Sequence, residues 1–392
     1  MSRLVTGGCV LLFVLLLALL LSFHHAHAVG AHTGWSNDDI EVLRHLRLSN
    51  SALADKNRGN ELLFRDDAIE LGRRLFTDTG LSGSGQFACA SCHRPEDGYQ
   101  DTELITYRLN PKAAHRAPGL LGVALQDWFF WDGRADSLWS QALAVIEDPM
   151  ELASNRSQAV RHLCTQYEKS FPALLRNCRA LPKANKQDID RLFVTLGKSL
   201  AAFETGLMPP ATRFDLYVDA LLAGKQDEAA SLLDAKEVAG LKLFLDPMIG
   251  CINCHNGPMF SNSGFSAVAT DAQGYPEHDR KRGVGLLLDS EFNCLKWGNP
   301  ADCPKLQYVL TDGAETAGAY KVPSLRNLRH APSYMHDGRY RNLEAVIEHY
   351  RNPATLPLRH VDIRPAALLP HQRKQLLSFL KVLGTDASNQ EK

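Results

Sequence analysis

Apolar positions recur at intervals of three and four along most of the chain, the spacing of a buried helical face. Ile69, Gly72, Leu75 and Phe76 make one such face. Leu138, Gln141, Ala142 and Val145 make another, with a polar amide among apolar neighbours. Leu343, Val346, Ile347 and Tyr350 follow the same rule, and Asn342 just before them is placed to cap the first turn. Leu376, Leu377, Leu380 and Leu383 form a terminal helix that Gly384 ends. Valine-rich alternating runs, the mark of strands, are scarce. The pattern predicts an all-α fold.

The first thirty residues break this pattern. Arg3 is followed by an apolar or small-residue run from Cys9 to Phe23, and Ala26-His27-Ala28 reads as a small-x-small cleavage site. A run of about fifteen is short of the roughly twenty residues that cross a bilayer as a helix. Residues 1–28 are therefore expected to be an export signal, with an uncleaved anchor as the alternative. The destination is the periplasm, with no lasting membrane insertion.

The 392 residues allow two domains, and 43 Lys+Arg against 44 Asp+Glu leave a formal net charge of −1. Without a basic block, nucleic acid is not the expected partner. With 45% hydrophobic and 22% charged residues, the chain is not disordered.

The cysteines change the picture most. Cys89-Ala-Ser-Cys92-His93 and Cys251-Ile-Asn-Cys254-His255 are both C-x-x-C-H, the attachment signature of c-type haem. Two thiols on one turn add to the two vinyl groups of a porphyrin, and the next residue, His, lies under the iron. Composition alone predicts on the order of 0.01 such matches per chain, so two are not accidental. Zinc would want further Cys/His pairs, and a dithiol redox site wants a βαβ context absent here. Two covalently bound haems c are expected. Cys164, Cys178, Cys294 and Cys303 remain, and in an oxidising compartment proximity suggests Cys164–Cys178 and Cys294–Cys303 disulfides among three connectivities.

The chain reads as an internal duplication. Leu75-Phe76-Thr77-Asp78 precedes the first haem motif and Leu243-Phe244-Leu245-Asp246 the second. Trp131-Asp132-Gly133-Arg134 follows Pro118 by thirteen residues, as His336-Asp337-Gly338-Arg339 follows Pro323. The haem histidines lie 162 apart but the D-G-R motifs 205 apart, so the second half carries about 43 extra residues around 264–318. That stretch is expected to be a long, disulfide-tied surface insertion. Two cytochrome-c-like haem domains follow, at 36–205 and 206–386.

An iron with protein ligands on both faces transfers electrons, whereas one with an open face can bind peroxide. Spacing alone leaves Met335 and His336 both open as sixth ligands, and Met259 lies too near its own attachment loop. Gln141 can be a satisfied core amide, and Trp131 a core aromatic. Glu151, ten residues after Gln141, offers the carboxylate that peroxide cleavage needs to move a proton between the oxygens.

In order, C-x-x-C-H, Trp-Asp-Gly-Arg, Gln-(nine)-Glu, C-x-x-C-H, Pro-Ser-Leu-Arg-Asn and His-Asp-Gly resemble the bacterial di-haem cytochrome c peroxidases and MauG. The resemblance runs from about residue 66 to the C-terminus. It implies that His93 holds a peroxide-reactive haem with Gln141 and Glu151 in its distal pocket. His255 would hold the second haem, and Trp131 would relay electrons between the two. Fourteen residues after the His of His-Asp-Gly, the peroxidases place a Met ligand and MauG a Tyr; here the residue is Tyr350. The peroxidases also carry a distal His after the first haem, and His115 lies too near Pro118 to match it. Both features point to the MauG branch, and to a bis-Fe(IV) state that oxidises a partner protein.

Asp136-Ser-Leu-Trp-Ser-Gln141 and the segment Glu291-Phe-Asn-Cys294 to Asp302-Cys303 look most like the MbnH enzymes. These are understood to oxidise a Trp of a copper-binding partner, MbnP, to kynurenine. A scavenging peroxidase fed by a small cytochrome or cupredoxin, and a plain di-haem electron carrier, are the other readings. Arg116 stands where relatives use an Asn for calcium, and a guanidinium supplies no amide oxygen, which leaves calcium open.

Overall fold

The computed structural model describes residues 34–48, 59–104, 106, 115–270, 279–298, 303, 305–306, 309, 316–328, 331–353 and 361–384. The expected signal peptide at 1–28 lies outside them. In chain order the described helices begin with α1 (Asn37–Leu46), α2 (Asp66–Phe76), α3 (Cys89–Cys92), α4 (Leu138–Glu147), α5 (Arg156–Tyr167) and α6 (Lys186–Thr205). Then come α7 (Arg213–Leu222), α8 (Gln226–Leu232), α9 (Ala235–Leu245), α10 (Cys251–Cys254), α11 (Arg280–Asp289), α12 (Cys294–Trp297), α13 (Leu343–Arg351) and α14 (Pro370–Val382). The described strands are two-residue pieces, β1 (Phe265–Ser266) and β2 (Tyr320–Lys321), paired antiparallel. The fold is all-α.

Each half is built on one crossed helix pair, α2 on α6 and α9 on α14. A glycine sits at each crossing. A Cβ on Gly72 would run into the Ser199 carbonyl and reach Phe203 Cβ at 3.0 Å. A Cβ on Gly240 would run into the Gln375 carbonyl and reach Phe379 Cβ at 2.9 Å. Only a missing side chain lets backbone approach backbone this closely. Gly72→Ala and Gly240→Ala should each lower stability by about 1–3 kcal/mol, the usual cost of overpacking. Urea unfolding of the haem-loaded protein checks this, and unchanged midpoints would show that the crossings relax freely.

The 205-residue offset is visible in geometry. Phe129 bridges Ala135 as Tyr334 bridges Tyr340. Phe130 and Met335 both have left-handed backbone, with φ of 62° and 67°, and Gly133 and Gly338 follow at 70° and 67°. Ser137 caps α4 and Asn342 caps α13, the latter accepting from the Ala345 N–H at 2.8 Å. Conserving such strained backbone twice marks it as framework rather than chance.

Two placements differ from the sequence reading. Helix α1, expected with the first half at 36–205, packs in the core of the second. Trp35, Ile40, Leu43 and Leu46 join Phe214, Phe244, Phe260 and Phe379 there. The Trp35 indole N–H donates to Tyr217 Oη at 2.8 Å, and Arg326, itself paired with Asp215 at 2.8 Å, donates to the Leu46 carbonyl. An amphipathic face specifies burial, not which core buries it.

The described residues of the insertion are likewise no free surface loop. Both disulfides form as expected, Cys164–Cys178 and Cys294–Cys303. Phe292 of the insertion, however, lies in the first half's core, 5.5 Å from the Phe193 ring. The Cys294 N–H donates to Asp136 Oδ2 at 2.8 Å. Arg156 binds Glu147, Asp190 and Glu291 together beside it. The second half thereby lends the first one wall.

Candidate active site

Both C-x-x-C-H motifs adopt the same local form. Each pair of cysteines begins and ends a single helical turn, and the His caps it, with its N–H on the first cysteine's carbonyl at 2.9 Å. His93 Nδ1 faces the Tyr99 carbonyl at 3.3 Å, and His255 Nδ1 the Phe260 carbonyl at 2.9 Å. A carbonyl only accepts, so Nδ1 carries the proton and Nε2 keeps its lone pair for a metal. Burial also lowers both imidazole pKa values, favouring the neutral, ligating form. Cys89, Cys92, Cys251 and Cys254 are unpaired while the other four described cysteines are bridged. These donor sets fit two thioether-linked haems.

The first motif opens on a cavity of about 810 Å³, within the range of cofactor sites. Cys89, Cys92, His93, Trp131, Gln141 and Glu151 all line it. Helix α4 carries Gln141 along one wall and ends where Pro149 follows Asp148, since Pro disfavours helix before it. The chain then turns back: the Glu151 N–H bonds the Asp148 carbonyl at 3.0 Å and the Leu152 N–H the Val145 carbonyl at 3.2 Å. That turn brings Glu151 to the cavity.

Glu151 is the most informative carboxyl. Desolvation raises its pKa to about 7, against the opposing pull of Arg134. Its side chain keeps 36% of its surface open, and because it borders the cavity a porphyrin there would cover it further. Arg134 Nη2 stands 3.6 Å from Glu151 Oε1, with its guanidinium 3.5 Å over the Phe130 ring. The arginine of the Trp-Asp-Gly-Arg motif is hydrogen-bonded to Asp132 at 3.2 Å and places its charge beside the Glu151 carboxyl, a role its sequence position did not announce. A second carboxyl, Glu204, is buried on the cavity lining, and desolvation raises its pKa to about 8. Lys321 enters from β2 and donates to Gln126 Oε1, with burial lowering its pKa to about 7.

Trp131 sits where the halves meet. It is 4% exposed, and its indole N–H donates to the Arg116 carbonyl at 2.9 Å. Arg116 in turn reaches across: its N–H bonds the His336 carbonyl at 2.9 Å and its Nε the Met335 carbonyl at 3.0 Å. The guanidinium lies 5.2 Å from the Trp131 ring. His336, the repeat partner of Trp131, approaches it at 6.5 Å and stacks on Tyr320 at 3.6 Å. His336 therefore belongs to this inter-half cluster. Among the described residues no group of three or more His, Cys, Asp or Glu side chains could hold a metal ion.

Tyr350 lies with the second motif. Desolvation and the nearby Cys251 and Cys254 raise its pKa, so the unligated phenol keeps its proton. The duplication gives this position its meaning, because 205 residues earlier the chain has Val145, which lines the first cavity. One repeated position therefore offers an oxygen donor in the second half and an inert aliphatic group in the first. A single valine carries no such signal until the repeats are aligned.

A model of the family described as di-haem cytochrome c peroxidase matches residues 66–222. The methylamine utilization protein MauG of Methylorubrum extorquens is 31% identical over 320 residues, covering 81% of this chain and 78% of the relative. The cytochrome c551 peroxidase of Nitrosomonas europaea is 30% identical, covering 72% of each. The diheme peroxidase BthA of Burkholderia thailandensis shares the fold with a TM-score of 0.63 and 21% identity, over 81% of this chain and 86% of that one. A MauG-like protein associated with microbial copper homeostasis does so at 0.56 and 22%, over 82% and 90%. The chain belongs to the di-haem cytochrome c peroxidase/MauG family, the haem-dependent oxidoreductases that use peroxide.

Proposed function

We propose that the protein uses hydrogen peroxide to oxidise a tryptophan of a partner protein, to kynurenine in a copper-binding partner of the MbnP kind. The observation that carries this reading is the Val145/Tyr350 asymmetry, an aliphatic side chain on the first cavity where the second half has a phenol beside its C-x-x-C-H motif. Two haems c, attached at Cys89/Cys92 and Cys251/Cys254 and ligated by His93, His255 and Tyr350, would supply peroxide reduction and storage of its oxidising power.

The remaining work falls to side chains. Glu151 takes the proton from the near oxygen of peroxide and returns it to the far one, while Arg134 places its charge beside the carboxylate. Gln141 offers an amide to orient the bound peroxide. Trp131 passes electrons between the halves, held in position by Arg116. Two disulfides suit an oxidising compartment, consistent with export to the periplasm. No described helix is long and apolar enough to cross a membrane.

The test is one equivalent of peroxide added to the diferric protein, followed by near-infrared and Mössbauer spectroscopy with and without a candidate copper-binding partner. With two or more equivalents of peroxide per partner, the number the four-electron conversion to N-formylkynurenine consumes before formate is lost, mass spectrometry should find the partner's tryptophan converted. If reduced cytochrome is consumed instead and the partner stays intact, the protein is a scavenging peroxidase, the reading its Nitrosomonas relative would favour. Trp131→Phe should confine oxidation to the first haem, with folding little changed because an aromatic still fills the site. Two-haem oxidation in that variant would show a different route between the halves.

A further inference from the structure

We propose that Tyr340, hydrogen-bonded to His349, is the redox-active residue through which oxidising equivalents leave the second haem for the surface. The inference rests on the Tyr350-ligated site proposed above. Three rings form a continuous series: Tyr350 to His349 at 5.7 Å between centroids, and His349 to Tyr340 at 5.7 Å. Tyr340 and Tyr350 are both half-buried and His349 between them is buried, so the series runs from the proposed haem ligand through a buried imidazole to a second, partly exposed phenol.

The hydrogen bonds give the pair its chemistry. His349 Nε2 lies 2.6 Å from the Val268 carbonyl, which can only accept, so Nε2 carries the proton. Nδ1 is then a free lone pair, and Tyr340 Oη donates to it at 3.1 Å. A phenol stripped of an electron without a proton acceptor becomes a high-energy radical cation. With a base already in hydrogen-bond reach, the proton moves as the electron leaves.

The step balances. Tyr340 gives one electron, by way of His349 and Tyr350, to the oxidised second haem, which loses one oxidising equivalent. Its phenolic proton passes to His349 Nδ1, leaving a neutral phenoxyl radical beside an imidazolium still bonded to Val268. A partner docked at the surface then returns one electron, the proton moves back, and a second turn uses the second equivalent of one peroxide.

The duplication provides an independent check. The positions 205 residues before Tyr340, His349 and Tyr350 are Ala135, Ala144 and Val145. None can carry an electron or accept a proton. The series is thus absent from the half that meets peroxide and present in the half that would store oxidising power. A framework feature of the repeat would occur in both.

The experiment uses the full haem-loaded protein labelled with ring-deuterated tyrosine, one equivalent of hydrogen peroxide and no partner, with freeze-quench EPR. The wild type should give a tyrosyl signal narrowed by deuteration. Tyr340→Phe should lose it, and His349→Gln should lower it at least tenfold. Tyr334→Phe is the control, since among the described residues that phenol bonds a carbonyl, Leu328, at 3.1 Å, and its signal should match wild type. Persistence of the signal in Tyr340→Phe, or loss of it in Tyr334→Phe, would overturn the assignment. So would haem oxidation that proceeds optically with no tyrosyl signal, which leaves the proposed function standing. If peroxide changes neither haem optically, both readings fall together.

Discussion

Glu151→Gln should slow the reaction with hydrogen peroxide by about a hundred- to ten-thousand-fold, the usual contribution of general acid–base help. The amide has the carboxylate's shape but cannot take a proton from the near oxygen. Resting haem spectra should scarcely change, because Glu151 is not among the residues that attach either haem. Its environment also predicts a pH profile. Desolvation beside the cavity raises its pKa to about 7, so below that pH the carboxyl is protonated and useless as a base. The wild-type rate should rise about tenfold per pH unit below 7 and level off above it. Stopped-flow mixing across pH 5–9 tests both points, and the Gln variant should lose the inflection. A rate in Glu151→Gln equal to wild type would remove Glu151 from the chemistry and leave Glu204 as the cavity's other candidate carboxyl.

How much of this was readable from sequence depends on whether the constraint is local. The C-x-x-C-H signature of Cys89, Cys92 and His93 is wholly local, so a five-residue window reveals it. The helix period shows through in Leu343, Ile347 and Tyr350 because one turn repeats within four residues. Arg134 was visible as part of a motif, but its approach to Glu151 spans seventeen residues through a turn that no periodicity describes. Lys321 meets Gln126 across 195 residues, and Trp131 meets His336 only because the two halves face each other. The docking of Phe292 and the switch of α1 into the second core have the same origin. Hydrophobicity is not directional, so a chain can state that a face is buried without stating against what.

With Tyr350 as the proposed ligand, Tyr350→Phe should abolish oxygen ligation of the second haem and change its ferric spectrum, while the proposed attachment through Cys251 and Cys254 keeps the haem bound. Burial disfavours a free phenolate at this position, so only a bound metal would hold the oxygen deprotonated. A phenolate is a hard anionic donor that favours ferric and higher states, whereas a thioether favours ferrous iron. Tyr350→Met should accordingly raise that haem's midpoint potential by a sizeable fraction of the ~0.8 V that axial ligands command. Partner oxidation should then be lost, because the second haem no longer holds oxidising power. The converse variant follows from the duplication: Val145→Tyr places a phenol on the lining of the first cavity at the repeat-equivalent position. It should close the open face and suppress the peroxide reaction while leaving the second haem's spectrum as it was. If Tyr350→Phe instead leaves the ferric spectrum unchanged, Tyr350 is a buried core phenol. The contrast between the halves would then have to come from another ligand, with Met335 the first to examine.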